Sequence, residues 1–368
     1  MARVAVLHNT LDFQGGADAV CLATCEALQA DHEVTLFTIS TTAPRELAAR
    51  FDVSLEDVAV RMPPGAGAVA TGLSGLAPWI GAQLALRTVL LHRYARPRLH
   101  DFDVAVSTAN EVSLPLPSVQ YVHQPQFNRG RLVGATAGRL DPLWSRLAGP
   151  EPGTLDDSTT LLANSEWTID RVETIYDTRP DVVYPPVEPI ECEEPWTDRE
   201  PGIVLLGRLA PDKRILEAIS LVDAVREQGP DVHLHVVGSA PRAYRRYVAR
   251  VAWAAQDRPY VTLERNVSRE RVEGLLCSHR YGLNMKAGEH FGMAVAEYVS
   301  AGMDAFVPAS GGQQEIVEDD RTFTDLDEAV DLVSEALRRP EGPARSRDRF
   351  HPDRFAASIR QHVNQTID

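Results

Sequence analysis

The chain has 368 residues, 44% of them hydrophobic, and a formal net charge of −15. Such a length exceeds one compact core and implies two domains, and the apolar content excludes a disordered chain. The acidity argues against nucleic acid as a partner, which needs a basic footprint.

In chain order, RVAVLHN at 3–9 reads as a buried strand, with no charged-then-apolar leader before it. A helix follows near 17–29, then EVTLFTI. Residues 62–86 carry no charge, yet five glycines and three prolines between 63 and 81 make a spanning helix improbable. DVAVSTA, VQYVHQP and TTLLANS read as further strands, followed by a helix near 166–176 and DVVYPPV. The Pro- and Glu-rich PVEPIECEEPWTDREP at 186–201 reads as a linker.

The second half is more regular. GIVLLGRL, DVHLHVVGS, YVTLERN, YGLNM and DAFVPAS are strands; between them lie helices in KRILEAISLVDAVREQ, RAYRRYVARVAWAAQ, SRERVEGLLCSH and FGMAVAEYVSAG. Short apolar runs alternating with helical patterns mean βα units and a parallel sheet covered on both faces. The expected architecture is α/β: two doubly wound, Rossmann-like domains facing a cleft, over 1–190 and 200–345. A final helical segment over 346–368 returns to the first domain.

Of 37 basic residues only Lys213 and Lys286 are lysines. An acidic, Arg-for-Lys chain fits a halophilic, high-salt cytoplasm or a GC-rich genome. The four cysteines, 21, 25, 192 and 277, form no CxxC pair, so neither a disulfide framework nor a zinc ribbon is expected, and a reducing cytoplasmic compartment fits. Cys21 and Cys25 lie one helical turn apart, as core packing would have them.

Ligands of doubly wound sheets bind beyond the carboxyl ends of the strands. That rule selects the turns HNTLDFQGGAD, YVHQPQ, GRLAPDKR, VGSA and KAGEHFG. Gly15 and Gly16 stand just before a helix, where amides can approach an anion without a Cβ in the way. The pattern is neither GxGxxG nor a P-loop, against a dehydrogenase or ATPase. Arg208 and Lys213 follow one strand and precede a helix, placed to meet a diphosphate. Phe291-Gly292 offers a second helix start. Three anion-friendly turns imply a nucleotide-diphosphate ligand.

Glu289 and Glu297 stand eight positions apart. Were all eight steps helical, their Cα atoms would lie roughly 12 Å apart, against about 5 to 9.5 Å for paired glycosidase carboxylates. They suit opposite ends of an extended ligand better than an acid/base pair.

GRLAPDKR, then GEHFGMAVAEYVSAG, then PASGG, with GGAD before the first helix, resembles the family 4 retaining glycosyltransferases of GT-B fold. YVHQP, NSEWT and VVYPPV resemble especially the lipid-linked-oligosaccharide mannosyltransferases. Asp18 stands where that family commonly has Glu. The resemblance implies sugar transfer, with mannose in view, from a nucleotide-diphosphate sugar to a glycan or lipid-linked acceptor, with no cofactor and no metal. It implies that Glu289 binds donor-sugar hydroxyls and Glu297 the ribose. The amides of Phe291, Gly292 and Met293 would hold the diphosphate, Arg208 and Lys213 its developing charge, and His123 would stand beside the donor sugar. Two alternatives are a nucleotide-sugar epimerase of the same fold and a catalytically silent carbohydrate-binding relative.

Asp101-Phe102-Asp103 and Asp325-Leu326-Asp327 match a metal-binding Asp-x-Asp but read as caps. His233 and His235 share a strand face as metal ligands do, with no third ligand near in sequence. The Arg-Tyr series 242–250 reads as a solvated helix face. Leu73, Leu76, Trp79, Ile80 and Leu84, followed by Arg87, Arg93, Arg96 and Arg98, read either as a peripheral contact with anionic lipid or as a loop and helix packed in the N-terminal core or covering the acceptor cleft.

Overall fold

The computed structural model describes residues 1–80, 83–132, 140–152, 155, 158–241, 244–338, 342 and 347–367. The chain divides into two units, Met1–Pro186 with Pro352–Asp368, and Val187–His351.

In the first unit the elements run β1 (Arg3–His8), α1 (Gly16–Gln29), β2 (Glu33–Thr38), α2 (Pro44–Arg50), β3 (Ala59–Arg61), α3 (Ala66–Ile80) and α4 (Leu84–Ala95). Then come β4 (Val104–Ser107), β5 (Ser118–Val122), α5 (Asp141–Ala148), β6 (Thr159–Ala163), α6 (Glu166–Tyr176) and β7 (Asp181–Val182). The strands form one parallel sheet in the order β3-β2-β1-β4-β5-β6-β7. Strand alternation sorts the side chains to two faces. Val4, Val6, Val104 and Val106 pack with Cys21, Cys25 and Leu28 of α1, while Ala5, Leu7 and Ala105 pack with Leu91 and Ala95 of α4.

The second unit contains β8 (Glu200–Leu206), α7 (Ile215–Glu227), β9 (Leu234–Gly238), α8 (Arg245–Gln256), β10 (Val261–Arg265), α9 (Arg269–Ser278) and β11 (His279–Leu283). It continues with α10 (Met293–Ser300), β12 (Asp304–Pro308), β13 (Thr322–Phe323) and α11 (Leu326–Arg338). The sheet order is β10-β9-β8-β11-β12-β13, again parallel. Ile203, Leu205, Leu234, Val236, Tyr281 and Leu283 share a core with α7, α8 and α11. The last helix, α12 (Pro352–Ile367), belongs to the first unit, where Phe355, Ile359 and Val363 join the core under α1.

Three sequence expectations change. First, Cys192 and Cys277 are disulfide-bonded, with Cα atoms 5.1 Å apart, although 85 residues separate them; the linker passes the end of α9, which no spacing motif reveals. Second, Arg87 is not a lipid-facing arginine. It is 1% exposed, its guanidinium 3.9 Å from Asp12 and 3.3 Å from the Thr10 hydroxyl. Arg93 and Arg96 are exposed, whereas the side chains of Leu76, Trp79 and Ile80 lie outside the described residues. Third, β11 starts at His279, which the sequence pattern had left in the preceding helix.

Asp325 accepts from the Glu328 amide at 2.9 Å, capping α11, and Asp103 accepts from the Arg3 amide at 2.7 Å. Cys21 and Cys25 are buried core residues, and Arg245 and Arg246 are exposed on α8; residues 242–243 lie outside the described set. Among the described residues no helix is long and apolar enough to cross a membrane.

Candidate functional site

In the second sheet the strand order reverses between β8 and β11, so the loops leaving these strands diverge and open a crevice at their carboxyl ends. Tyr298 of α10 spans that point: its hydroxyl accepts from the Leu206 amide (2.6 Å) and lies 3.3 Å from the Leu283 carbonyl. The ring fits because residue 282 is glycine; a Cβ there would meet it at 2.3 Å.

The loop after β8 passes so close to the end of β9 that a Cβ on Gly238 would fall 1.8 Å from the Gly207 carbonyl. Pro211 opens a single tight turn ending at Lys213. Lys213 Nζ donates to Glu289 Oε2 at 2.7 Å, and Lys286 Nζ donates to Glu289 Oε1 at 3.1 Å. The only two lysines of the chain therefore meet on one carboxylate. Lys213 and Glu289 are 14% and 15% exposed. Burial pushes the Glu289 carboxyl up, but the charges of Lys213 and Lys286 outweigh it and bring it down to about 2.

The loop carrying Glu289 hangs on two buried amides. Asn284 donates to Gln313 Oε1 (2.7 Å), and Gln313 Nε2 donates to the carbonyls of Lys286 (2.9 Å) and Ser310 (3.0 Å). Gly312 donates to the Glu289 carbonyl at 2.9 Å. Gly311, at φ 93°, lies so close that a Cβ would stand 2.2 Å from that same oxygen. Gly292, at φ 114°, precedes α10, and the first turn of a helix presents amides with no intrahelical acceptor. The Phe291 side chain is buried edge-to-face on Phe350, leaving its backbone as the part that can serve a ligand. Met293 is half-buried at the helix start.

The structure thus brings Lys213 and Glu289 together, adds Lys286, Asn284 and Gln313, joins Arg208 to them only through Asp212, whose Oδ2 also lies 3.8 Å from Lys286 Nζ, and leaves Glu297 apart from the cluster. Arg208 is 52% exposed and paired with Asp212 at 3.7 Å. Glu297 accepts from Arg269 at 2.6 Å. Lys286 was findable as one of two surviving lysines; Asn284 and Gln313 carry no sequence signal.

In the first unit the reversal lies between β1 and β4. Gly15 caps α1, and Asp18 accepts from the Gly15 amide (3.1 Å) while its other oxygen lies 2.9 Å from His8 Nε2. Gly16 is the first residue of α1. His123 follows β5, its Nε2 donating to the Thr108 carbonyl at 3.1 Å and its ring tilted against Tyr121. The Thr108 hydroxyl lies 3.1 Å from His8 Nδ1, so one threonine ties the Gly15 turn to His123. Behind them Glu111 accepts from the amides of Gln126 and Phe127, at 2.7 Å each; burial raises its carboxyl to about 7.

The depressed Glu289 makes a pH prediction. Its folded value, about 2, lies below the ordinary 4.5, so the stability it contributes is present above pH 4.5 and lost as pH falls towards 2. In urea unfolding, the wild-type advantage over Glu289→Gln should shrink by about 3 kcal/mol between pH 7 and pH 2. An advantage that does not change with pH would contradict the two-lysine site.

A family model described as "Glycosyl transferases group 1" matches residues 188–350. The GDP-Man:Man(3)GlcNAc(2)-PP-Dol alpha-1,2-mannosyltransferase of Eremothecium gossypii is 28% identical over 166 residues, 41% of this chain and 28% of that protein. Its namesake from Yarrowia lipolytica is 27% identical over 229 residues, 54% of this chain and 36% of its own length. The chain thus spans about a third of the length of these curated relatives. HepE of Anabaena, solved in complex with UDP and glucose, matches with a TM-score of 0.66 at 16% identity, covering 100% of this chain and 99% of that one. WaaG, a glycosyltransferase involved in lipopolysaccharide biosynthesis, gives 0.65 at 15% identity, covering 98% and 95%. At these identities the likeness is one of fold. Residues 188–350 are a glycosyl transferases group 1 domain, in a chain with the two α/β domains of the GT-B fold.

Proposed function

We propose that the protein is a retaining glycosyltransferase that moves a sugar from a nucleotide-diphosphate sugar to a glycan or lipid-linked acceptor. The convergence of Lys213 and Lys286 on Glu289, at the β8/β11 reversal and beside the start of α10, carries this reading. Mannose is the favoured sugar, because the relatives from Eremothecium gossypii and Yarrowia lipolytica are named as GDP-Man mannosyltransferases.

The barrier lies in breaking the sugar–phosphate bond through an oxocarbenium-like state. Negative charge grows on the departing diphosphate, where Lys213, Arg208 and the amides of Phe291, Gly292 and Met293 stabilise it. Glu289 accepts from donor-sugar hydroxyls, and Glu297, turned from Arg269, accepts from the ribose. The departing phosphate takes the acceptor's proton, so no enzyme nucleophile is needed. On the first unit, Gly15, Gly16 and His123 serve as the ligand-facing groups of its own strand reversal. With cationic side chains at the phosphate, the donor needs no divalent ion, and the nucleotide sugar is the sole cosubstrate. The charge-free run of α3 and the exposed Arg93 and Arg96 support a peripheral contact with anionic lipid.

Lys213→Ala should lower the rate of sugar transfer by about 10²–10³ while the fold survives, because the charge it meets grows in the transition state. Wild-type transfer should persist in excess chelator. Unchanged turnover in the variant would sink the lysine's role, and loss in chelator restored by magnesium or manganese would point to a metal-held phosphate.

The two glutamates should separate by ligand. Calorimetry with nucleoside diphosphate and with intact donor should show Glu297→Ala weakening both, and Glu289→Ala sparing the diphosphate while transfer falls. Equal losses on both ligands would remove the two-ended arrangement.

For the membrane contact, wild type should co-sediment with anionic liposomes and a Leu76/Trp79/Ile80 triple-serine variant should not. Wild type that stays wholly in the supernatant at working salt would favour a soluble acceptor.

A further inference from the structure

The segment Val232–Val236, which runs into β9, is laid out with period two. Val232, Leu234 and Val236 enter the core shared with α7, and His233 and His235 emerge on the other face. The third histidine that sequence spacing could not supply comes from β11. His279, buried at the first position of that strand, reaches across the intervening β8 to lie with its Nε2 3.0 Å from His233 Nε2. One ring nitrogen from each of the three histidines lies within 4.8 Å of the others.

The middle strand leaves room for them. A Cβ on Gly202 of β8 would fall 2.3 Å from His233 Nε2 and 2.6 Å from His279 Cδ2, so any side chain there would occupy the space between the rings. The groups behind the rings fix their tautomers. His279 Nδ1 donates to the Leu275 carbonyl at 2.8 Å, which leaves its lone pair on Nε2. His235 Nδ1 lies 3.1 Å from Glu264, whose two oxygens are also held by Arg271 at 2.8 Å each. A carbonyl or an anchored carboxylate behind a ligating imidazole is the usual outer shell of a metal-binding histidine. His233 is 31% exposed, and Glu200 stands 3.4 Å from its Nε2, so solvent and ions can enter from that side. In a tetrahedral centre with metal–nitrogen bonds of about 2.0–2.1 Å, neighbouring ligand atoms lie about 3.3 Å apart, close to the His233–His279 separation.

The geometry points to a zinc site formed by His233, His235 and His279 at the amino-terminal edge of the second sheet, with its fourth position open to water beside Glu200. Borderline divalent ions suit three neutral imidazoles, whereas magnesium and calcium prefer all-oxygen shells. The site stands independently of the proposed sugar transfer, whose groups occupy the opposite ends of the strands.

The test uses untagged full-length protein stripped with chelator and dialysed. Calorimetry should show one equivalent of Zn²⁺ bound at micromolar or tighter affinity, and Co²⁺ should give the visible absorption of a tetrahedral site. His233→Gln, altering a partly exposed ring, should abolish the site while circular dichroism stays unchanged. Glu264→Gln, which weakens the support behind His235, should loosen uptake by about 10–100-fold. If wild type takes up less than one equivalent, or if both variants bind zinc as wild type does, the cluster is a hydrogen-bonded histidine group and no metal site. His279→Gln should likewise abolish uptake; should that buried substitution fail to fold, His233→Gln alone still decides.

Discussion

The second unit is organised around a single carboxylate. Glu289 is largely buried, and a buried charge persists only when paired and hydrogen-bonded. Two lysines from different loops supply that pairing, so the loops after β8 and β11 cannot be placed independently. With one lysine removed the other still pairs with the carboxylate, so the charge is never left wholly uncompensated. A chain that uses arginine nearly everywhere else keeps lysine here. An ammonium is a compact point charge on a flexible stem, able to pivot from a carboxylate to an incoming phosphate, whereas a guanidinium prefers a fixed bidentate partner.

Backbone proximity does the rest of the positioning. Gly207 against Gly238, and Gly311 against the Glu289 main chain, are contacts that no Cβ would tolerate. They draw the strand ends together, so that a short side chain such as Gln313 can bridge the loops with both its polar atoms engaged. A fully satisfied buried amide pair is rigid because every alternative leaves an unpaired polar group. The ligand-facing loop is thereby stiff at its base, while Arg208 and Arg269 stand half-exposed, paired with Asp212 and with Glu273 and Glu297.

The parallel strands were legible because double-sided burial leaves uninterrupted apolar runs, as in RVAVLH and GIVLL. Lys213 and Glu289 were legible through their placement after strands, and through resemblance. What escaped depended on long-range contact. β3 and β13 span only three and two residues and owe their existence to neighbouring strands. Arg87 looked like a surface cation in a charge-poor stretch, yet Asp12, 75 positions earlier, draws it inside. The His279 contact escaped because α9 stops at Ser278 and the chain turns at once into β11, a boundary that helical periodicity ran past by a residue, and the Cys192–Cys277 bond escaped because 85 residues separate its ends.

That boundary also separates two chemistries on one sheet. All strands of the second unit are parallel, so their starts and ends form opposite edges. β8 alone runs seven residues from Glu200 to Leu206, which at about 3.3 Å per residue sets the edges roughly 20 Å apart. A divalent ion among the histidines would therefore fix the strand starts without touching the lysines that pair with Glu289. The histidines need only Gly202 and the strand pairing, whereas the lysines need the loop glycines and the Gln313 bridge. Substitutions that remodel one edge leave the other's determinants intact, and the two sites can be dissected one at a time in the same molecule.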